Sequence, residues 1–401
     1  MSDSGALLVV ALAALSLPPL ATTVRLPAVV LEILFGILVG PVLGILRADA
    51  LIESLGELGF LLLLFLAGFE IDLRLFERSG PRPVVRGTLL FALSLGLAAC
   101  GALLLDLGIF MTLVLATTSV GLVVPTLRSG RVLATPLGQD ILMAALIADF
   151  ATLVAVSLAS LVMRVGVDAR LLLFPLFIAL VLASFAGLRL VAWWWPDRFS
   201  RFFDPRDPEA LGVRFTMAMV LAYAGLATAM GIEAALGAFL AGTGVATVFR
   251  HRGELDQTLD GLAYGFLIPI FFIGVGLSFS LTAMSDPAAI GFLALLIAVA
   301  FVVKLVPSVA VLGRRHGLRS GAAAGMILSA RLSLIIVVAR IGVELGAIEP
   351  ELEAMIILLA AATATFAPIG YRIVAHPGPA GAAASGATAY PQRFFESSET
   401  S

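Results

Sequence analysis

The sequence predicts an all-α membrane protein of about 13 transmembrane helices, built as two inverted six-helix repeats joined by one further helix. Three observations carry this. Sixty per cent of the residues are hydrophobic and 13% are charged, and apolar stretches of roughly 20 residues, each able to cross a ~30 Å hydrocarbon layer, recur along the chain. The arginines gather in every second connection, on one side of the membrane. Finally, one shift of the chain along itself superposes two successive helix pairs.

Charged and Pro/Gly-rich breaks delimit thirteen spans, at about 5–23, 28–46, 55–73, 86–107, 109–127, 137–163, 170–194, 211–230, 233–248, 262–281, 287–313, 320–344 and 352–373. The first lacks a basic leading region and runs straight into another apolar segment, so it is read as a helix and not as a signal peptide. Residues 374–401, rich in Pro, Ala, Gly and Ser before an acidic end, are expected to form a disordered cytoplasmic tail. The single cysteine, Cys100, lies inside an apolar run, which excludes a disulfide framework or a cysteine metal site. His251, His316 and His376 fall in connections or the tail, leaving a zinc hydrolase without ligands. No Gly-rich phosphate loop and no basic, aromatic-interleaved surface points to nucleic acid; the expected surroundings are the lipid bilayer.

Orientation follows from the arginines. With the N-terminus outside, the inner connections hold Arg25, Arg74, Arg78, Arg82, Arg86, Arg128, Arg131, Arg198, Arg201, Arg206, Arg214, Arg250, Arg252, Arg314, Arg315, Arg319, Arg372 and Arg393, whereas the outer ones hold only Arg47, Arg164 and Arg170. The positive-inside rule then places the C-terminus in the cytoplasm after an odd number of spans. Arg189 and Arg340 lie near helix ends, where snorkelling accounts for them.

A shift of 206 residues lays 59–75 on 265–281, matching Gly59 with Gly265, Phe60 with Phe266, Phe65 with Phe271 and Gly68 with Gly274, and also places Leu34 and Gly36 on Leu240 and Gly242. The third span runs inward and the tenth outward, so the repeat is inverted, as in secondary transporters, whose sites lie in broken helices at the midplane. Two segments fit. The fifth span carries ATTSVGLVVP (116–125) and the twelfth SARLS (329–333); their hydroxyls can support an unwound turn whose freed carbonyls and helix ends favour an ion, or can simply bond back to their own helices.

Two charges sit deep in spans. Asp149 is near the middle of the sixth, and Lys304, the sole lysine of the chain, interrupts AFVVKLVPSV (300–309). An ionised side chain at such depth costs about 2.5–3.5 kcal/mol and so has a partner or a function. A structural Asp149–Lys304 ion pair is the simplest alternative to a transport role. Asp140, nine residues before Asp149, is read as an interfacial residue facing the inner loop.

At these residues the chain resembles the monovalent cation:proton antiporter superfamily, in its branch of thirteen-helix bacterial sodium/proton and potassium/proton exchangers. The pieces are RLPAVVLEILFGILVGP (25–41), GFLLLLFLAGFEIDL (59–73), TTSVGLVVPTLRSG (117–130), ADF (148–150), LGAFLAGT (236–243), PIFFIGVGLSFSL (269–281) and ILSARLSL (327–334). The resemblance implies two discontinuous helices crossing at Thr118 and Ser119, a carboxylate at Asp149 that holds a monovalent cation (Na+ or K+) or a proton, and a coupling lysine at Lys304, with Arg331 and Glu70 as bracing residues. It implies a dimerisation scaffold (5–78 and 211–284), a core transport domain (85–164 and 287–373), a linker helix (170–194) and a homodimer in the cell membrane serving pH homeostasis, with no cofactor and no enzymatic activity. A sodium-coupled solute symporter of the same fold group and a gated cation channel are the alternatives. One departure stands out: many relatives carry two adjacent aspartates, the first paired with the lysine, whereas this chain has Ala148. Lys304 is therefore expected to pair with Asp149 or to be neutral part of the time.

Overall fold

The computed structural model describes residues 3–24, 26–70, 81–166, 168–194, 210–248, 253–281 and 287–375, so the tail and Arg74, Arg78 and Asp72 lie outside the described residues. Each of the thirteen predicted segments holds a helix. They are α1 (Asp3–Val24), α2 (Ala28–Ile37, continued by a wide turn Leu38–Val42), α3 (Ala50–Phe69), α4 (Pro81–Leu104), α5a (Gly108–Ala116) with α5b (Val120–Ser129), α6 (Pro136–Val165), α7 (Leu173–Trp194), α8 (Leu211–Ala229), α9 (Ala234–Val248), α10 (Gly253–Leu262 continuing to Leu277), α11 (Pro287–Val311), α12a (Leu318–Leu328) with α12b (Ser333–Glu344), and α13 (Pro350–Ala375). Among the described residues, ten spans are long and apolar enough to cross a membrane, and α12a with α12b, bent by 50°, makes an eleventh; α2 and α9 are shorter apolar helices.

Local chemistry sets the helix ends. Pro136 starts α6 at a position where a missing N–H costs nothing, and the Thr135 hydroxyl caps the next turn by accepting from Gly138 N at 3.1 Å. Asp49 does the same for α3, accepting from Ile52 N at 2.8 Å. Gly317, at φ +91°, makes the sharp turn that lets α12a begin at Leu318.

Packing falls into two groups. In one, α3 packs on α9 and α10, α2 on α10 and α1, and α8 on α9; in the other, α4 packs on α6, α5a and α11, and α11 on α12a and α13. Without a hydrophobic drive between helices in lipid, close contact needs small residues. A Cβ on Gly36 of α2 would lie 2.2 Å from Ile273 O of α10, and one on Gly242 of α9 would lie 2.0 Å from Phe65 O of α3. The 206-residue shift relates α2 to α9 and α3 to α10 and places Gly36 on Gly242, with their contact points on α10 and α3 within two residues of each other. The internal repeat is therefore also a repeat of helix packing. Burial differs sharply among spans: 67% of the α5 window is buried against 11% of the α7 window. A helix apolar all round yet little buried by protein faces lipid.

Candidate functional site

The two unwound turns meet. Helix α5a stops where Thr117 turns to φ −57°, ψ 159°, and α5b starts after the extended Ser119; on the other side Leu332, at φ −147°, ψ −73°, precedes α12b. Thr118 Oγ1 donates to Leu328 O at the end of α12a at 3.2 Å, and Arg331 donates back to Leu115 O of α5a at 2.7 Å. Arg331 also reaches Ala300 O of α11 at 2.9 Å and Ser329 O at 3.2 Å. Lys304 Nζ of α11 donates to Ala116 O at 2.6 Å. The last carbonyls of α5a lack intrahelical donors and form the negative end of its dipole, and here they receive two cationic side chains.

Asp149 of α6 meets the opposite pole. Its Oδ2 accepts from Val120 N, the first residue of α5b, at 3.1 Å, so a carboxylate faces a positive helix end. Its Oδ1 is shut off from solvent and has no hydrogen-bond partner. Around it Thr117, Thr118 and Arg331 are wholly buried, with Ser119 4% and Lys304 1% exposed. A buried carboxylate oxygen left open is costly, and a proton or a cation at that atom removes the cost.

The chain matches the family Sodium/hydrogen exchanger, transmembrane, over residues 7–375. It belongs to that family. It is 32% identical over 377 residues to YjbQ of Bacillus subtilis, which carries a Na(+)/H(+) antiporter name; the match covers 86% of this chain, and the chain spans 59% of the length of that relative. It is 28% identical over 356 residues to the Na(+)/H(+) antiporter of Enterococcus hirae, covering 86% of this chain and 90% of the relative. The solved structure of the sodium proton antiporter MjNhaP1 from Methanocaldococcus jannaschii at pH 8 superposes with a TM-score of 0.59 over 92% of this chain and 95% of that one, at 16% identity, which shows the shared fold.

Within this exchanger-family fold, Asp149, Thr118, Ser119, Lys304 and Arg331 come together at the crossing. Glu70 does not join that network: it caps the end of α3, its N–H bonded to Leu66 O, and is exposed. Thr117 bonds back to Val114 O of its own helix at 2.7 Å, and Ser329 to Gly325 O at 2.8 Å. Lys304 and Asp149 form no ion pair with each other; Lys304 donates instead to the Ala116 carbonyl, and Asp149 accepts from Val120 N. Asp140 meets residues of the connections at its end of the bundle, as a loop-facing residue does, but it is buried there. It is 3% exposed and paired with Arg86 of α4 at 3.1 Å and His316 of the α11–α12a connection at 2.9 Å, because α4 and that connection close over it.

Three groups escaped the sequence reading. One is the His316–Asp140–Arg86 cluster. Another is Glu233, before α9, which bonds Ser160 and pairs with Arg164 of α6 at 3.0 Å. The third is Glu32 of α2, 3% exposed with Oε2 sealed and unpartnered. The signal for Glu32 was present: a lone carboxylate in an apolar run, as with Asp149.

Proposed function

We propose that this chain exchanges a monovalent cation, Na+ or K+, for protons by alternating access, with Asp149 as the shared binding group. The observation that carries this is the open, buried Asp149 Oδ1 at the positive end of α5b. One carboxylate oxygen accommodates a proton or a dehydrated cation but not both, so competition couples the two gradients without covalent chemistry. Thr118 and Ser119 supply the remaining oxygen ligands of the transported cation. Arg331 holds the two turns together by neutralising carbonyls of both strands of the crossing. Lys304 holds the negative end of α5a and tends to lose its proton when a cation reaches Asp149, since a neighbouring positive charge disfavours the ammonium. Two protons then move against one cation.

The moving unit is α4–α6 with α11–α13, and the scaffold is α1–α3 with α8–α10, linked by α7 and dimerising through the scaffold in the cell membrane with the N-terminus outside. The separate packing of these two groups supports the division. Contacts that join them include the stacking of Phe150, beside Asp149, on Phe239 of α9 with centroids 6.0 Å apart, the pairing of Arg164 with Glu233, and the packing of Val29 and Val30 of α2 on the broken helices.

Purified protein in proteoliposomes with a pH-sensitive dye tests the reading. Adding Na+ or K+ outside acid-loaded vesicles is expected to drive proton efflux, with apparent cation affinity improving as pH rises. Cation flux that moves no protons, or an affinity independent of pH, overturns it.

A further inference from the structure

Helix α2 belongs to the scaffold group, yet it touches the crossing. Val29 and Val30 pack with Leu332 of the α12 turn, Leu122 of α5b and Ala361 and Ala364 of α13. One turn beyond Val29, on the neighbouring stripe of the helix, stands Glu32. Four residues further, Gly36 lies so close to Gly276 and Ile273 of α10 that a Cβ has no room. Along α2, Glu32 therefore stands between the residues that pack on both broken helices and the glycine that meets α10. It is 3% exposed, and its Oε2 has neither solvent nor a hydrogen-bond partner.

Among the described residues, the elements packed around it bring no compensating charge. Residues 5–24 of α1 and 268–277 of α10 contain no ionisable side chain. The α12 turn brings Arg331, whose guanidinium is committed to Leu115 O, Ala300 O and Ser329 O. Helix α5b carries Arg128 near its far end, and the charges of α13 (Glu351, Glu353, Arg372) sit at its two ends. An ionised carboxylate at such a place costs about 2.5–3.5 kcal/mol, whereas the neutral acid costs much less.

We propose that Glu32 is a second proton-binding site, on the scaffold, which must hold a proton for α2 to close on the unwound turns and which releases it when the transport helices move away. Glu32 is then a positioning residue: it touches no transported cation but makes the closing step depend on protons. The inference rests on the alternating-access reading above and adds a titrating group on the side that does not move.

The test removes proton competition at Asp149 by loading both sides of proteoliposomes with saturating Na+ and following exchange of radiolabelled Na+. In the parent, exchange is expected to fall several-fold as the pH is raised, because ionised Glu32 resists closure. Glu32→Gln should stay within about twofold of the parent at acidic pH and lose the alkaline fall, while Glu32→Asp keeps it. A parent rate independent of pH, or a Glu32→Gln variant slowed by one factor at every pH, overturns the proposal. Loss of all labelled exchange in the parent instead strikes at the transport reading itself. If Glu32→Gln does not fold, a hydrophobic carbodiimide decides on the parent alone. Its C=N bond adds the O–H of a protonated carboxyl, so peptide mass spectrometry should find Glu32 modified at acidic pH and progressively spared at alkaline pH; no modification at any pH overturns the proposal.

Discussion

The turns of α5 and α12 occupy corresponding places in the two halves of the chain and solve the same backbone problem with opposite chemistry. The α5 turn, Thr117 to Ser119, contains no charge; its ends are served from outside, by Arg331 and Lys304 at the carbonyls of α5a and by Asp149 at the N–H of α5b. The α12 turn carries its own cation, Arg331, and receives only the Thr118 hydroxyl at Leu328 O and the Thr363 hydroxyl at Arg331 O, at 3.2 and 3.5 Å. The buried carboxylate thus faces one turn and the guanidinium comes from the other. An inverted repeat supplies two half-helix poles of each sign, and side chains on α6 and α11 decide which pole meets which charge.

The most severe way to break this division is Asp149→Asn. The amide keeps the bond from Val120 N but can neither bind a cation by charge nor release a proton, so dye-reported exchange should fall at least about a hundredfold in a protein that still elutes as a folded species. Retained exchange removes Asp149 from the mechanism. Next comes Arg331→Met, which strips a donor from three buried carbonyls on both broken helices and α11; stability in detergent should drop by about 2–3 kcal/mol, read as a lowered melting temperature. A melting curve matching the parent shows that the crossing does not depend on the guanidinium.

Lys304→Gln leaves a neutral donor for Ala116 O and is expected to lower the exchange rate only in part while abolishing its response to membrane potential. In the parent, inside-negative and inside-positive potentials should change the rate in opposite directions; a parent indifferent to potential excludes the two-proton cycle. The smallest effects belong to the hydroxyls. Thr118→Val and Ser119→Val should weaken apparent cation affinity by about tenfold with little change in maximal rate, as expected for single neutral ligands. Thr117→Val, whose hydroxyl bonds only within its own helix, should leave that affinity unchanged. An equal loss for all three variants means that the turn responds to packing alone and erases the distinction between ligand and cap.

The sequence by itself determined the membrane class, the thirteen helices, the internal repeat and the two breaks. Each is a local property: a hydropathy run of bilayer length, or hydroxyls and Gly or Pro where a helix is weak. It also marked Asp149 and Lys304, because a charge far from any polar flank is conspicuous along one dimension, whereas Arg331 was marked by the family resemblance. Only the tertiary structure decided who meets whom. Lys304 lies 155 residues from Asp149 in the chain and binds the Ala116 carbonyl, because the end of α5a presents a nearer negative pole. Asp140 finds Arg86 and His316 only because α4 and the connection after α11 close over it, and the lone carboxylate of Glu32 is seen to be sealed, with its Oε2 unpartnered, only in the fold. Hydropathy depends on neighbours in sequence, whereas the cost of a buried charge depends on neighbours in space, and these come from helices folded back from distant parts of the chain.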